Sequence, residues 1–263
     1  MSVNLLEVDR LNVWYPVRTT FGRRAGEWIK AAVDVSFSVP PRSTVGLVGE
    51  SGSGKSTVAR AVLNLEKVTS GRIYFDGADV TNMPEPAFRP YRKRVQMVFQ
   101  DPYGSLDPRW TVEAIVAEPL RIHFPCWGRD ERRARVIQLL EKVGLEADHR
   151  RRLPHEFSGG QRQRIGIARA LAVEPELLVC DEPVSALDVS VQAQIVNLLQ
   201  DLQEQLGLAY LFIAHDLAVV EHLSEHVVVM QRGRVVEAGP VSAVYSSPRT
   251  EYTRKLLDSV PAW

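Results

Sequence analysis

The chemistry-bearing residues of this sequence gather in a few short segments. GESGSGKS, from Gly49 to Ser56, fits the spacing GxxxxGK[ST] and sits between the buried-strand run VGLVG and a helix expected to begin near Lys55. Gly49, Gly52 and Gly54 let the main chain turn its N–H groups around an anion, and the helix start adds partial positive charge. Glu50, Ser51, Ser53 and Thr57 complete the expected wrap, with Lys55 reaching the β- and γ-phosphates of a nucleotide and Ser56 a magnesium ion. A glycine-rich turn with no ligand is the bland alternative, and the flanking strand and helix argue against it. LLVCDE, from Leu177 to Glu182, is an apolar strand that ends in two carboxylates. Asp181 is placed to hold magnesium, directly or through water, and Glu182 to polarise an attacking water as general base. An exposed acidic turn would read the same way in isolation.

The third segment is FSGGQRQRIGIARAL, from Phe157 to Leu171. Ser158, Gly159, Gly160 and Gln161 open a helix and are placed to offer donors to a phosphate. Locally, a simple helix cap and turn explains the same residues.

The elements that must position these segments follow from periodicity. Leu5 to Tyr15 and Ala31 to Val39 alternate apolar and polar residues, as half-buried strands do, and RTTFGRRAGEW between them reads as an exposed loop. GRIYFDG, RVQMVFQ, LLVCDEP and AYLFIAHD read as further strands. Thr111 to about Leu145 is helical and amphipathic, and VSVQAQIVNLLQDLQEQLG is a helix between two buried strands. Strand and helix alternate, which implies a mainly parallel sheet. HVVVMQRGRVVEAG reads as a hairpin turning at Arg232 and Gly233, followed by a short helical tail.

Composition sets bounds. The chain has 263 residues, 45% of them apolar, enough for one large α/β domain or two small ones. Lys plus Arg equals Asp plus Glu at 32 each, which argues against nucleic acid or an anionic membrane as the main partner. The N-terminus lacks a basic start followed by an apolar run, and the longest apolar stretch, Leu206 to Ala214, is far too short to span a bilayer. The expectation is a cytoplasmic protein that reaches a membrane through another protein. Of the two cysteines, Cys180 reads as a small buried hydrophobe rather than a redox group.

The three segments, in this order, resemble those of ATP-binding-cassette (ABC) ATPases: two Walker motifs with an LSGGQ-like signature between them, Phe157 replacing the leucine. The resemblance extends to Gln100, which matches the glutamine that touches magnesium and the attacking water and senses the transport subunit. SALD, Ser185 to Asp188, matches the D-loop, and His215 matches the switch histidine that contacts the γ-phosphate. Tyr15 stands where the family stacks an aromatic ring on adenine, with Trp14 as the alternative. FQDPYGSLDPR (Phe99 to Arg109), the stretch Asp181 to Gln203 and the tail SPRTEYTRKLL (Ser247 to Leu257) are similar to the oligopeptide/dipeptide/nickel importer branch. In the tail, Thr250 and Glu251 replace the branch's histidine and proline, and no cysteine follows Cys180, so the iron–sulfur site of some members has no ligands here.

The resemblance implies a P-loop NTPase (RecA-like) α/β core with an antiparallel β subdomain and a helical signature subdomain. The ATPase domain would span residues 1–245, with the helical part at about 103–161 and a transporter-type tail at 246–263. It implies ATP and Mg2+ as ligands, and head-to-tail pairing with a second, identical or homologous ATPase subunit. It also implies two transmembrane permease subunits, an external solute-binding protein, and a place at the cytoplasmic face of the inner membrane. The Phe99 to Arg109 segment, with Tyr103 and Leu106, would dock the permease, the alternative being that these side chains pack internally against the helical subdomain. Rival readings are an exporter motor, a soluble ABC-type ATPase acting without a permease, and a phosphate-loop kinase.

Overall fold

The computed structural model describes residues 4–18, 24–101 and 103–258. In chain order the elements are β1 (Leu6–Arg18), β2 (Arg24–Val39), β3 (Thr44–Val48), α1 (Lys55–Val62), β4 (Ser70–Phe75), β5 (Ala78–Asp79) and α2 (Glu85–Arg94). There follow β6 (Val95–Val98), α3 (Val112–Val116), α4 (Glu118–His123), α5 (Arg129–Lys142), α6 (Gly159–Leu171), β7 (Leu177–Asp181) and α7 (Val189–Leu206). The last elements are β8 (Ala209–Ala214), α8 (Leu217–Leu223), β9 (His226–Gln231), β10 (Arg234–Pro240), α9 (Val241–Ser246) and α10 (Glu251–Asp258). The chain divides into two compact units, residues up to 89 together with those from 209 onward, and residues 90–208.

The first unit holds an antiparallel sheet in the order β2-β1-β4-β5. Leu6 and Val8 of β1 face the core, and a bulge between Val8 and Leu11 resets the alternation so that Leu11 and Val13 face it too. Arg10, with φ 45°, carries that bulge. The expected loop between β1 and β2 is shorter than its composition suggests: Trp28 pairs with Pro16 and Ile29 with Tyr15, so the ladder recruits 24–28 into β2 without help from apolar alternation. Residues 19–23 of that expected loop lie outside the described residues.

The same unit holds a parallel group in which β3 lies between β8 and β9, with β10 antiparallel on β9. Every residue of β3 and of β8 is buried. A continuous apolar strand is what a sheet covered on both faces requires, and each large side chain buried there contributes about 1.5–3 kcal/mol. The β9–β10 turn falls at Arg232 and Gly233, both with positive φ, as a tight hairpin requires.

In the second unit β6 and β7 pair in parallel, Val95 with Leu177 through Val98 with Cys180. Val136, Leu139 and Leu140 of α5 and Ile165, Ile167 and Ala168 of α6 are buried in its core. Strand β6 ends at Val98, so Gln100 stands in the loop beyond it rather than at its last position.

Candidate functional site

In the first unit the β3–α1 loop is built on glycines. Gly54 has φ 104°, and a Cβ on it would stand 2.2 Å from the carbonyl oxygen of Ala31. Gly49 has φ 148°, and a Cβ there would stand 2.1 Å from the carbonyl oxygen of Met230. Both conformation and space demand glycine. Lys55 begins α1 and is buried, with its Nζ donating to the carbonyl oxygens of Gly49 (2.7 Å) and Glu50 (2.9 Å). The ammonium is thereby held inside the loop rather than free to sweep solvent. Ser53 N donates to Glu50 O at 3.1 Å and Ser53 O accepts from Gly233 N at 2.9 Å. Its buried hydroxyl has no hydrogen-bond partner among the described residues. Such a group costs about 1–3 kcal/mol unless a ligand satisfies it, which fits a bound phosphate. Glu50, Ser51 and Gly52 are exposed, and Ser56 and Thr57 are half-buried on the first turn of α1.

Parallel register brings a second predicted residue to this edge. Val48 pairs with Ala214, so Gly49 and His215 leave adjacent strands at the same end, and His215 is exposed there. Tyr15 is half-buried on β1. Burial pushes its hydroxyl above the ordinary tyrosine value, a side-chain hydrogen bond with Thr57 opposes that, and Glu66 adds to it. Trp14, its neighbour on the strand, instead lies beneath the Lys30 ammonium, 4.8 Å from the ring centre. Of the two aromatic candidates, Tyr15 is therefore the one joined to α1.

In the second unit the β6–β7 pairing carries Gln100 and Glu182 out side by side. Gln100 Nε2 donates to Glu182 Oε2 at 3.0 Å. Asp181 is buried at the end of β7, and Glu182 follows with φ 46°, a conformation costly for a residue with a side chain. Cys180, just before, is fully buried, and desolvation, reinforced by Asp181, pushes its thiol far up and leaves it inert.

The signature residues form a capping box. Ser158 Oγ accepts from Gln161 N at 3.3 Å, and Gln161 Oε1 accepts from Ser158 N at 3.0 Å. The simple cap is thus present, and it presents the helix start of α6 intact. Gly160 is required because a Cβ would stand 2.4 Å from Val191 Cγ1 on α7. Asp188 occupies the N-cap position of α7 without a side-chain cap bond, and the starts of both helices lie together, with Leu187 Cδ2 3.2 Å from a Cβ placed on Gly159. The SALD turn is fastened by Ser185, whose N and Oγ both donate to Glu182 O (3.2 and 3.1 Å). Gln192 Nε2 clamps it further, donating to Val184 O (3.1 Å) and Leu187 O (3.0 Å). A polar residue on a helix gives no sequence signal for that clamp.

The segment after Gln100 is tied to the signature helix. Arg162 lies over the Tyr103 ring at 4.1 Å, Gln163 Nε2 donates to Phe99 O at 3.4 Å, and Arg169 Nη1 donates to Ser105 O at 2.6 Å. Phe99 and Tyr103 are exposed, but Leu106, expected on a docking surface, is 1% exposed and belongs to the core. Asp107 is held at a pKa of about 2 by hydrogen bonds from Arg109.

A phosphate loop between a buried parallel strand and a helix, with carboxylates at the end of another strand, defines a P-loop nucleotide-binding α/β protein. A family model described as ABC transporter matches residues 32–185, and the chain belongs to that family. It is 51% identical over 257 residues to the glutathione import ATP-binding protein GsiA of Escherichia coli (strain K12), covering 98% of this chain and 41% of that protein. It is 50% identical over 259 residues to the oligopeptide transport ATP-binding protein AppF of Bacillus subtilis, covering 98% of this chain and 78% of that one. The chain thus spans about two fifths of the length of the GsiA relatives it matches. Among solved structures it is similar to the ATP-binding cassette MJ0796 bound to ADP and Pi in a dimeric post-hydrolysis state, with TM-score 0.79 and 28% identity over 90% of this chain and 98% of that one. It is also similar to cbiO1 from Clostridium perfringens, part of the transporter complex cbiONQ, with TM-score 0.78 and 28% identity over 98% of this chain and 96% of that one.

Proposed function

We propose that this chain hydrolyses ATP as the motor subunit of an ABC importer for peptides or a related small solute, bound peripherally at the cytoplasmic face of the membrane. The names of its relatives, glutathione import and oligopeptide transport, support that substrate class. The observation that carries the reading of hydrolysis rather than mere binding is the 3.0 Å Gln100–Glu182 pair directly after buried Asp181. Glu182 accepts the proton of the attacking water, and Gln100 orients that water and the carboxylate. Lys55 and the amides from Gly49 to Thr57 bind the phosphates, His215 contacts the γ-phosphate, and the Tyr15 ring carries the adenine. Mg2+ would be held by Ser56, Gln100 and Asp181, hard oxygen donors of the kind it takes, and would neutralise phosphate charge.

Ser158, Gly159, Gly160 and Gln161 act on the nucleotide of a second cassette, with Asp188 at the same junction. The partners are that second ATPase subunit, identical or homologous, two permease subunits, and through them an external solute-binding protein. Phe99 and Tyr103 offer the permease an exposed aromatic surface fastened to the signature helix. Residues 1–245 serve as the ATPase domain, with a helical subdomain at about 103–161, and 246–263 as a tail.

Lys55→Ala tests the reading. Hydrolysis should fall to background while the protein stays folded, with melting lowered by several degrees because the carbonyls of Gly49 and Glu50 lose their donor. Wild-type turnover by the folded variant would remove the assignment.

A further inference from the structure

The tail Ser247 to Leu257 does not enter the chemistry above, yet it is fastened with unusual care. The Glu237 carboxylate on β10, itself buried, accepts from Arg249 N (2.9 Å), Thr250 N (3.2 Å) and Thr250 Oγ1 (3.3 Å). Thr250 Oγ1 in turn accepts from Thr253 N at 3.1 Å, so Thr250, one of the two departures from the importer-branch tail, caps the first turn of α10. Burial pushes the Glu237 carboxyl up, but the hydrogen bonds from Arg249, Thr253 and Thr250 outweigh it and leave the group below its ordinary value, charged and anchoring. The helix start is therefore fixed to β10, and the first turn aims one side chain elsewhere. The Tyr252 hydroxyl oxygen accepts from Glu50 N in the phosphate loop at 3.1 Å.

That bond closes a grip on a single peptide unit. The Gly49–Glu50 peptide offers its C=O to Lys55 Nζ at 2.7 Å and its N–H to Tyr252 at 3.1 Å. In a planar trans peptide these two groups point in opposite directions, so fixing the N–H fixes where the C=O points. With glycine at 49 the plane has little side-chain resistance to rotation, and a rotated plane would withdraw the acceptor that places the ammonium. We propose that Tyr252 is a positioning residue for nucleotide binding, acting through the Gly49–Glu50 peptide to hold Lys55 where phosphates are bound. The proposal rests on the nucleotide-binding reading above.

The test uses Mg-ADP binding to the isolated chain by calorimetry, alongside melting temperature, so that no partner and no hydrolysis are needed. Tyr252→Phe keeps the ring and removes only the oxygen. Its ADP dissociation constant should rise about 3- to 10-fold, the factor that one net hydrogen bond supplies. Tyr245→Phe is the control, because that hydroxyl donates to Leu217 O at 2.6 Å in the same C-terminal region without touching the loop. It should lower the melting temperature and leave ADP affinity unchanged. Glu237→Ala, which frees the helix start, should weaken ADP as Tyr252→Phe does. Unchanged affinity in Tyr252→Phe, or equal weakening in both tyrosine variants, overturns the positioning role while wild-type binding keeps the nucleotide reading. If the wild-type chain binds no ADP, the nucleotide reading fails and the proposal falls with it.

Discussion

At the scale of single residues, the site is governed by what must be small and what must be held. Gly54 is a sharp case, since an added Cβ meets a backbone carbonyl at 2.2 Å and the residue has φ 104°. Gly54→Ala should therefore cost more than the roughly 0.5–1 kcal/mol that glycine-to-alanine exchange usually shifts stability, in the unfavourable direction, and weaken nucleotide binding with it. Denaturant unfolding with a nucleotide titration checks this, and unchanged stability and affinity would show that the loop adopts another shape. The glycine spacing, Lys55 and the paired carboxylates were legible in the sequence because their chemistry needs those residue types at fixed separations. The grip of Tyr252 on the loop was not, since it joins positions about 200 residues apart and depends on the direction of one N–H.

At the scale of elements, the signature and the SALD turn meet because α6 and α7 begin side by side. Gly160 makes that approach possible, and its nearest neighbour, Val191 Cγ1, belongs to a β-branched side chain with little rotamer freedom to retreat. Gly160→Ala should lower stability by about 1–3 kcal/mol through overpacking, seen as a lower denaturant midpoint. Adding Val191→Ala should recover part of the loss, and the absence of any recovery would place the strain elsewhere. Periodicity gave the buried strands correctly because β3, β7 and β8 are continuous, largely apolar runs, polar only at Thr44 and Asp181 at the ends of β3 and β7. It missed α2, whose sequence EPAFRPYRKR buries only Phe88 and carries Pro90 inside the helix, so it shows neither an apolar stripe nor an unbroken hydrogen-bond pattern. The resemblance put Leu106 on the docking segment, and its burial instead matches the alternative of internal packing, because an isolated leucine among turn residues gives no sign of which way it points.

At the scale of the whole molecule, the proposed function gives one chain both a phosphate loop and a signature that serves a different nucleotide. On that reading function would require two cassettes, with ATP as the bridge between them. Glu182→Gln is the direct test, because it preserves the shape and hydrogen bonding of the side chain beside Gln100 while removing the basic oxygen. General-base assistance contributes about 10²- to 10⁴-fold to rate, so hydrolysis should fall by that factor while ATP binding persists. With ATP bound and uncleaved, a closed dimer should accumulate, with the partner subunit or a second copy, and elute earlier in size-exclusion chromatography with ATP than with ADP. Hydrolysis at the wild-type rate by Glu182→Gln, or failure to form an ATP-dependent dimer with the proper partner present, would contradict the account.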